Sequence, residues 1–274
     1  MRPRPTVFLR APFALGILAG VLPAVSHAQS VLNADVAVAS AYVWRGVTFT
    51  NRPVIQPDAY VTLTAGRGTV VAGAALNVEP RAYDGARDIS VLGAESGTLV
   101  TATSLWTEYA RPVGIASATL GVAGYVYPHA NGIAAAYNTA ELYAKLAFGG
   151  ALAPSLAAYH DVGQVRGTYV EGALRHVVPA GERLSIALGS VVGVNLGQGP
   201  DAAGTQTAYF AARGLTHVDL SAAATWTTGA TTITPSVHAM LVRDAATRLT
   251  APGEQHRSKL TAGIALGWAR TLHR

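Results

Sequence analysis

Hydrophobic and polar residues alternate with a period of two along most of this chain, in runs divided by short glycine-bearing or longer polar connections. Twelve runs stand out, over 32–44, 54–65, 68–78, 100–110, 114–127, 137–148, 151–161, 166–177, 182–194, 216–227, 230–242 and 258–270. This period sends successive side chains to opposite faces of a strand. Each run is also close to the roughly nine to eleven residues with which a tilted strand crosses a bilayer. In 137–148, Thr139, Glu141, Tyr143 and Lys145 share one face, and Ala140, Leu142, Ala144, Leu146 and Phe148 share the other. In 54–65, Gln56, Asp58, Tyr60, Thr62 and Thr64 oppose Ile55, Ala59, Val61 and Leu63. Tyr169, Glu171 and Arg175 oppose Val170, Gly172 and Leu174, and His217, Asp219 and Ser221 oppose Val218, Leu220 and Ala222.

The connections alternate in length. Tight turns are expected at Gly66-Arg67, Arg111-Pro112-Val113, Gly149-Gly150, Pro179-Ala180-Gly181 and Thr228-Gly229, and longer polar loops at the opposite strand ends. Short turns at one end and long loops at the other predict an all-β fold: a transmembrane, antiparallel, up-and-down barrel of about twelve strands. The short turns would face the periplasm and the long loops the exterior. A ligand-binding soluble barrel would turn its apolar face inward, which alternation alone does not distinguish.

Aromatic positions favour the membrane. Phe148, Trp226 and Trp268 fall on the apolar phase at the short-turn end, and Tyr42 and Trp44 on the apolar phase at the long-loop end. These five are expected at the two membrane interfaces. The run 100–110 fits less well, because Glu108 shares a face with Ser104 and Trp106. Glu108 is placed inside, since a carboxylate in lipid is costly.

Composition supports a barrel and removes other classes. Half the residues are hydrophobic and 13% charged, yet no apolar run of 18 follows the N-terminal segment, so no transmembrane helix is expected. Residues 1–28 read as a cleaved secretory signal, with Arg2, Arg4 and Arg10 before an apolar stretch and Ser26-His27-Ala28 before the cleavage point. The barrel domain is then 29–274. Without that segment's three arginines, 17 basic residues face 15 acidic ones, a balance that gives no reason to expect nucleic acid. No cysteine is present. Neither a disulfide nor a thiolate metal site is therefore available.

"ASAYVWRGVTFTNRPVIQPDAYV" resembles the N-terminal hairpin of the TorF family of porin-type proteins, also described as Gcw_chp, bacterial outer-membrane proteins of unknown function. The pattern is Tyr-x-x-Arg-Gly ending one strand and Pro-x-x-Gln opening the next, matched by Tyr42, Arg45, Gly46, Pro53 and Gln56. "AELYAKLAF", "LAAYHDVGQVRGTYVEGALRHVVP" and "LSIALGSVVGVNLG" are similar to later strands of that family. The resemblance implies an outer-membrane barrel with a porin role, embedded in outer-membrane lipid and inserted by the barrel-assembly machinery. It departs from the usual aromatic final residue of such barrels, running on to "WARTLHR" with Trp268 as a stand-in.

The function expected is a channel for small polar solutes or ions. Its lining would come from Asp35, Arg45, Asp58, Tyr60, Glu141, Tyr143, Lys145, Asp161, Glu171, Arg175, Arg183 and Asp219, since inward charges bias what a pore passes. Arg45 would face inward near the outer mouth, as a constriction or as a salt bridge that pins the loop, with Gly46 letting the backbone turn. The alternative is a non-conducting barrel, its charges paired across a plugged lumen, that binds a partner through its long loops. A third reading is a lipid-modifying enzyme using Ser236 with His238 or Ser221 with His217. Both pairs fall on the inward phase, so no catalytic residues are assigned, and no cofactor or metal is expected.

Overall fold

The computed structural model describes residues 30–80, 87–89, 100–128, 138–201 and 207–272. The N-terminal signal therefore lies outside the described residues. In chain order the elements are β1 (Ser30–Ala39), a hairpin of β2 (Tyr42–Trp44) and β3 (Val47–Thr50), β4 (Val54–Ala65), β5 (Gly68–Val78), β6 (Val100–Val113), β7 (Ala116–Val126), β8 (Thr139–Phe148) and β9 (Ser155–Asp161). They continue with β10 (Gly167–Pro179), β11 (Leu184–Asn195), β12 (Gly214–Thr228), β13 (Thr231–Val242), the one-turn helix α1 (Ala245–Arg248), a small pair β14 (Leu249–Ala251) and β15 (Glu254–Gln255), and β16 (Ser258–Leu272). Twelve of the strands close into one antiparallel barrel, in the order β1-β16-β13-β12-β11-β10-β9-β8-β7-β6-β5-β4. Chain neighbours are wall neighbours throughout, and β1 pairs with β16 from Ser30↔Leu272 to Ala39↔Gly263 to complete the ring.

Turn chemistry fixes this register. Ala65 pairs with Gly68, Val113 with Ala116 and Thr228 with Thr231, leaving two residues in each connection. The first of the two is Gly66, Gly114 or Gly229, each at φ +58. Glycine in that position is the mark of the type II′ hairpin, whose twist matches the strands it joins. Two expected turns differ: Arg111, Pro112 and Val113 still belong to β6, the chain reversing at Gly114-Ile115, and Gly149-Gly150 opens a six-residue connection, 149–154, so that β9 starts at Ser155 rather than 151.

The outer surface is apolar. Leu105, Leu120, Leu142, Leu156, Leu188, Leu220, Val237, Ile264 and Leu266 are all exposed, on the phase assigned outward. Water does not tolerate a continuous surface of this kind. Tyr109, Phe148, Trp226 and Trp268 are exposed on the same face, all toward the short-turn end. Inside, Ser104, Trp106 and Glu108 of β6 are all buried toward the interior, in unbroken register with β5, the one shift between these strands falling earlier, at Val100–Ala102. Room for the large side chains comes from glycine on the facing strand. A Cβ on Gly121 would sit 2.3 Å from the Tyr143 ring that lies across it.

The two halves of the interior differ. Toward the short turns, small polar residues such as Thr62, Thr119, Ser155, Ser185, Ser221 and Thr225 are only half-buried. Toward the long loops lies a packed core of Tyr42, Trp44, Phe49, Tyr125, Tyr159, Tyr169, Tyr209 and Phe210. The run expected over 32–44 as one wall strand therefore divides. Its wall part ends at Ala39, and Tyr42–Trp44 turns into the barrel as half of a separate two-stranded sheet with β3.

Candidate functional site

The site is built on the four residues Trp44-Arg45-Gly46-Val47. Trp44 pairs with Val47, so Arg45 and Gly46 form the turn. Arg45 has φ +49 and Gly46 φ +81. Two successive residues at positive φ are the pattern of a type I′ hairpin turn, in which the second position favours glycine. Gly46 is required for space as well, because a Cβ there would fall 2.9 Å from His217 Cγ on β12. All four residues of β3 are buried, as are Tyr42 and Trp44, the latter at 1% exposure, so the hairpin is enclosed except at half-buried Val43. Phe49 stacks on Trp44 at 5.7 Å between ring centroids and meets Tyr42 edge-on at 5.2 Å. Tyr42 and Trp44 were expected at the outer lipid interface. They lie instead inside the barrel, since the chain leaves the wall at Ala39 and carries its next aromatics inward.

Arg45 is the centre of this arrangement. Its Nη1 and Nη2 donate to Glu141 Oε1 and Oε2 on β8 at 2.7 and 2.8 Å, a bidentate pair of which both members are buried. Trp44, Tyr159 and Tyr169 surround the guanidinium, with ring centroids 4.2, 4.4 and 4.4 Å from its central carbon. Glu141 is held from its other side, where the Tyr125 hydroxyl donates to Oε2 at 2.6 Å and Gln198 Nε2 to Oε1 at 2.8 Å. A buried charge pair survives only when its remaining lone pairs are satisfied in this way. Glu171 on β10 is near enough to act electrostatically on Arg45.

Two further side-chain contacts secure the hairpin. Lys259 Nζ on β16 donates to the Gly46 carbonyl at 2.8 Å and to Thr48 Oγ1 at 2.6 Å. Beyond β3, Arg52 pairs with Glu79 and lies 3.6 Å from Asp88. From the opposite side Phe210 stacks on Tyr169 at 5.5 Å, and Tyr209 meets Trp44 edge-on at 4.6 Å.

The other candidate lining residues are spread through the barrel. Tyr143 and Lys145 both donate to Glu108 Oε2, at 3.0 and 3.1 Å. Asp35 and Asp58 face each other across β1 and β4, and Tyr60 lies beside Trp106 on the same side of the barrel. Arg175 is half-buried in β10. Asp219 accepts from His238 at 2.9 Å. Asp161 is a structural residue: its Oδ1 accepts from Thr139 Oγ1 and from the Gly163 and Arg166 amides, ordering the turn after β9. Arg183 lines nothing, because it stands exposed in the connection between β10 and β11. His217 and His238, considered above as partners of serines, are interior residues, His217 bonded to Thr216 Oγ1 at 3.1 Å. No cluster of three metal-ligating side chains occurs among the described residues.

Sequence reasoning gave no role to Tyr125, Tyr159, Gln198 and Lys259, and it set Tyr169 on the inward face without counting it among the lining residues. The three tyrosines share the inward phase and the long-loop end of β7, β9 and β10, and that coincidence was the available signal. Gln198 sits in a loop, where alternation says nothing.

The family model described as "Bacterial protein of unknown function (Gcw_chp)" matches residues 24–195, a span that contains the hairpin, Glu141, Tyr159 and Tyr169 but not Gln198 or Lys259. No curated protein matches the chain. Among solved structures, a KdgM porin in complex with disordered oligogalacturonate is similar at 7% identity and a TM-score of 0.47, over 89% of this chain and 99% of its own. An outer membrane channel from Pseudomonas putida F1 is similar at 14% identity and a TM-score of 0.45, over 91% and 97%. An anion-selective porin from Comamonas acidovorans is similar at 11% identity and a TM-score of 0.37, over 90% and 99%.

Proposed function

The chain belongs to the Gcw_chp family of bacterial proteins, and we propose that it is an outer-membrane channel for small polar solutes or ions whose long-loop mouth is closed by the 42–50 hairpin. The apolar outer face and the aromatics at its short-turn end support insertion in a bilayer. The half-buried polar side chains of the short-turn half support a wetted vestibule. One observation carries the reading. The closure is a two-stranded sheet of its own, outside the twelve-strand ladder, and the bonds described above that fasten it come from side chains. A plug attached in that way can move without opening the wall.

The test is ion current through a planar bilayer for wild-type protein and for Glu141→Gln. The reading predicts rare openings in wild type and frequent ones in the variant. Silence from both over a range of voltages would refute it and leave the second reading, a non-conducting barrel that binds a partner through its long loops. That second reading is favoured by the complete burial of the Arg45–Glu141 pair.

A further inference from the structure

The seat of Arg45 is built almost entirely by parts of the molecule other than the hairpin. Tyr159 and Tyr169 come from β9 and β10, where they are direct cross-strand partners. Glu141 comes from β8, with Tyr125 on β7 and Gln198 of the loop after β11 fixing its two oxygens. Glu171 stands beside them. Of the three rings around the guanidinium, only Trp44 would leave with the hairpin. What would stay is two tyrosine faces, an oriented carboxylate and a second carboxylate close by. Aromatic faces with a desolvated carboxylate are complementary to a cation, and the two oxygens of Glu141 fit a planar fork of N–H donors.

We infer that this seat is a binding site for organic cations, guanidinium-bearing solutes foremost, and that Arg45 occupies it in the closed barrel as a tethered internal ligand. The inference deepens the channel reading by naming the class of solute that would meet the constriction and compete with the plug. Tethering raises the effective concentration of Arg45 to the millimolar range for a short link. A free cation therefore competes poorly while the arginine is present.

The experiment removes the tethered competitor and keeps the turn. In full-length Arg45→Asn, Asn-Gly is a preferred type I′ pair, and the asparagine is too short to reach Glu141. Methylguanidinium, with neutral methylurea as its control, is titrated into the purified protein in detergent micelles and followed by calorimetry. The site predicts saturable binding of methylguanidinium at least about tenfold tighter than of methylurea. Binding should weaken by at least about tenfold in Arg45→Asn/Glu141→Gln, and equally in wild type, where the seat is filled. Equal affinity for the two probes, or an affinity indifferent to Glu141→Gln, overturns the inference. Should Arg45→Asn assemble poorly, methylguanidinium present during refolding must restore heat-resistant barrel where methylurea does not, and failure of that rescue also overturns it. Binding in micelles does not depend on conduction. Silent bilayers with intact binding would remove the channel reading alone, and current without binding would remove the site alone.

Discussion

Glu141→Gln removes the charge on which the plug turns while keeping the side chain's volume and one carbonyl oxygen. In the structure Glu141 is fully buried and accepts four hydrogen bonds, two from Arg45, one from Tyr125 and one from Gln198. Removing one partner of a buried ion pair leaves the other uncompensated and costs about 3–5 kcal/mol. The retained oxygen puts glutamine at the lower end, about 3 kcal/mol. The cost falls on the docked state, because an undocked Arg45 is rehydrated. At about 1.4 kcal/mol per factor of ten, the docked-to-undocked ratio falls by about 150-fold. The wall should not share the loss, since the β7–β8 and β8–β9 ladders are backbone pairings that make no use of this carboxylate. Hydrogen exchange read by mass spectrometry in micelles separates the two. Amides of 42–50 should exchange about a hundredfold faster, in proportion to the opening equilibrium, while those of 139–148 keep their protection. Unchanged hairpin exchange, or hairpin and wall loosening together, would refute the view that Glu141 holds a separately movable plug.

Other outcomes follow from the same geometry. Tyr125→Phe deletes the hydroxyl that donates to Glu141 at 2.6 Å; a bond to a charged group is worth about 1.5–3 kcal/mol, so hairpin exchange should rise by at least tenfold, less than in Glu141→Gln. Gly121→Ala places a Cβ 2.3 Å from the Tyr143 ring; overpacking of about 1–3 kcal/mol should lower the temperature at which the folded band converts to the unfolded one on gels. Leu220→Lys on the exposed outer face should cost about 2–4 kcal/mol if that residue lies near the middle of the bilayer, measured by urea unfolding in vesicles. Ser221→Lys, one residue on and facing inward, should cost far less, and equal costs would invalidate the assignment of faces.

The wall was legible because its physics is local. Two-residue alternation and turn glycines located all twelve wall strands, and Glu108 was placed inside on the cost of a carboxylate in lipid. The hairpin was not legible for a related reason. Tyr42 and Trp44 continue the alternation of β1, and a period of two does not say whether a strand stands in the wall or inside it. Val47–Thr50 gave no clue either, since Val-Thr-Phe-Thr alternates like a wall strand, and only the structure shows it buried on both faces. Arg45 and Gly46 were readable as a turn that pins a loop. Their partner Glu141 was not, because it lies 96 positions away in sequence and only closure of the barrel brings the two together. Arg183 marks the limit beyond a strand end, where phase stops reporting on direction, whereas Asp161 keeps the inward phase beside Glu141 but spends its carboxylate on the turn after β9.

The central claim is that the barrel conducts when the 42–50 hairpin leaves its seat. The chain has no cysteine, and a Cβ on Gly46 would lie 3.0 Å from that of His217, so an outward shift of the hairpin by about half an ångström brings the pair to the roughly 3.5–4.5 Å found in disulfides. Gly46→Cys with His217→Cys, in the Glu141→Gln background, should therefore form a lock between plug and wall, at a cost of about 1–2 kcal/mol for a side chain at positive φ. Planar-bilayer current is recorded from the oxidised protein and again after a reductant is added. The account predicts no current while the disulfide is closed and frequent openings once it is reduced. Equal current in both states, or none after reduction, would contradict it.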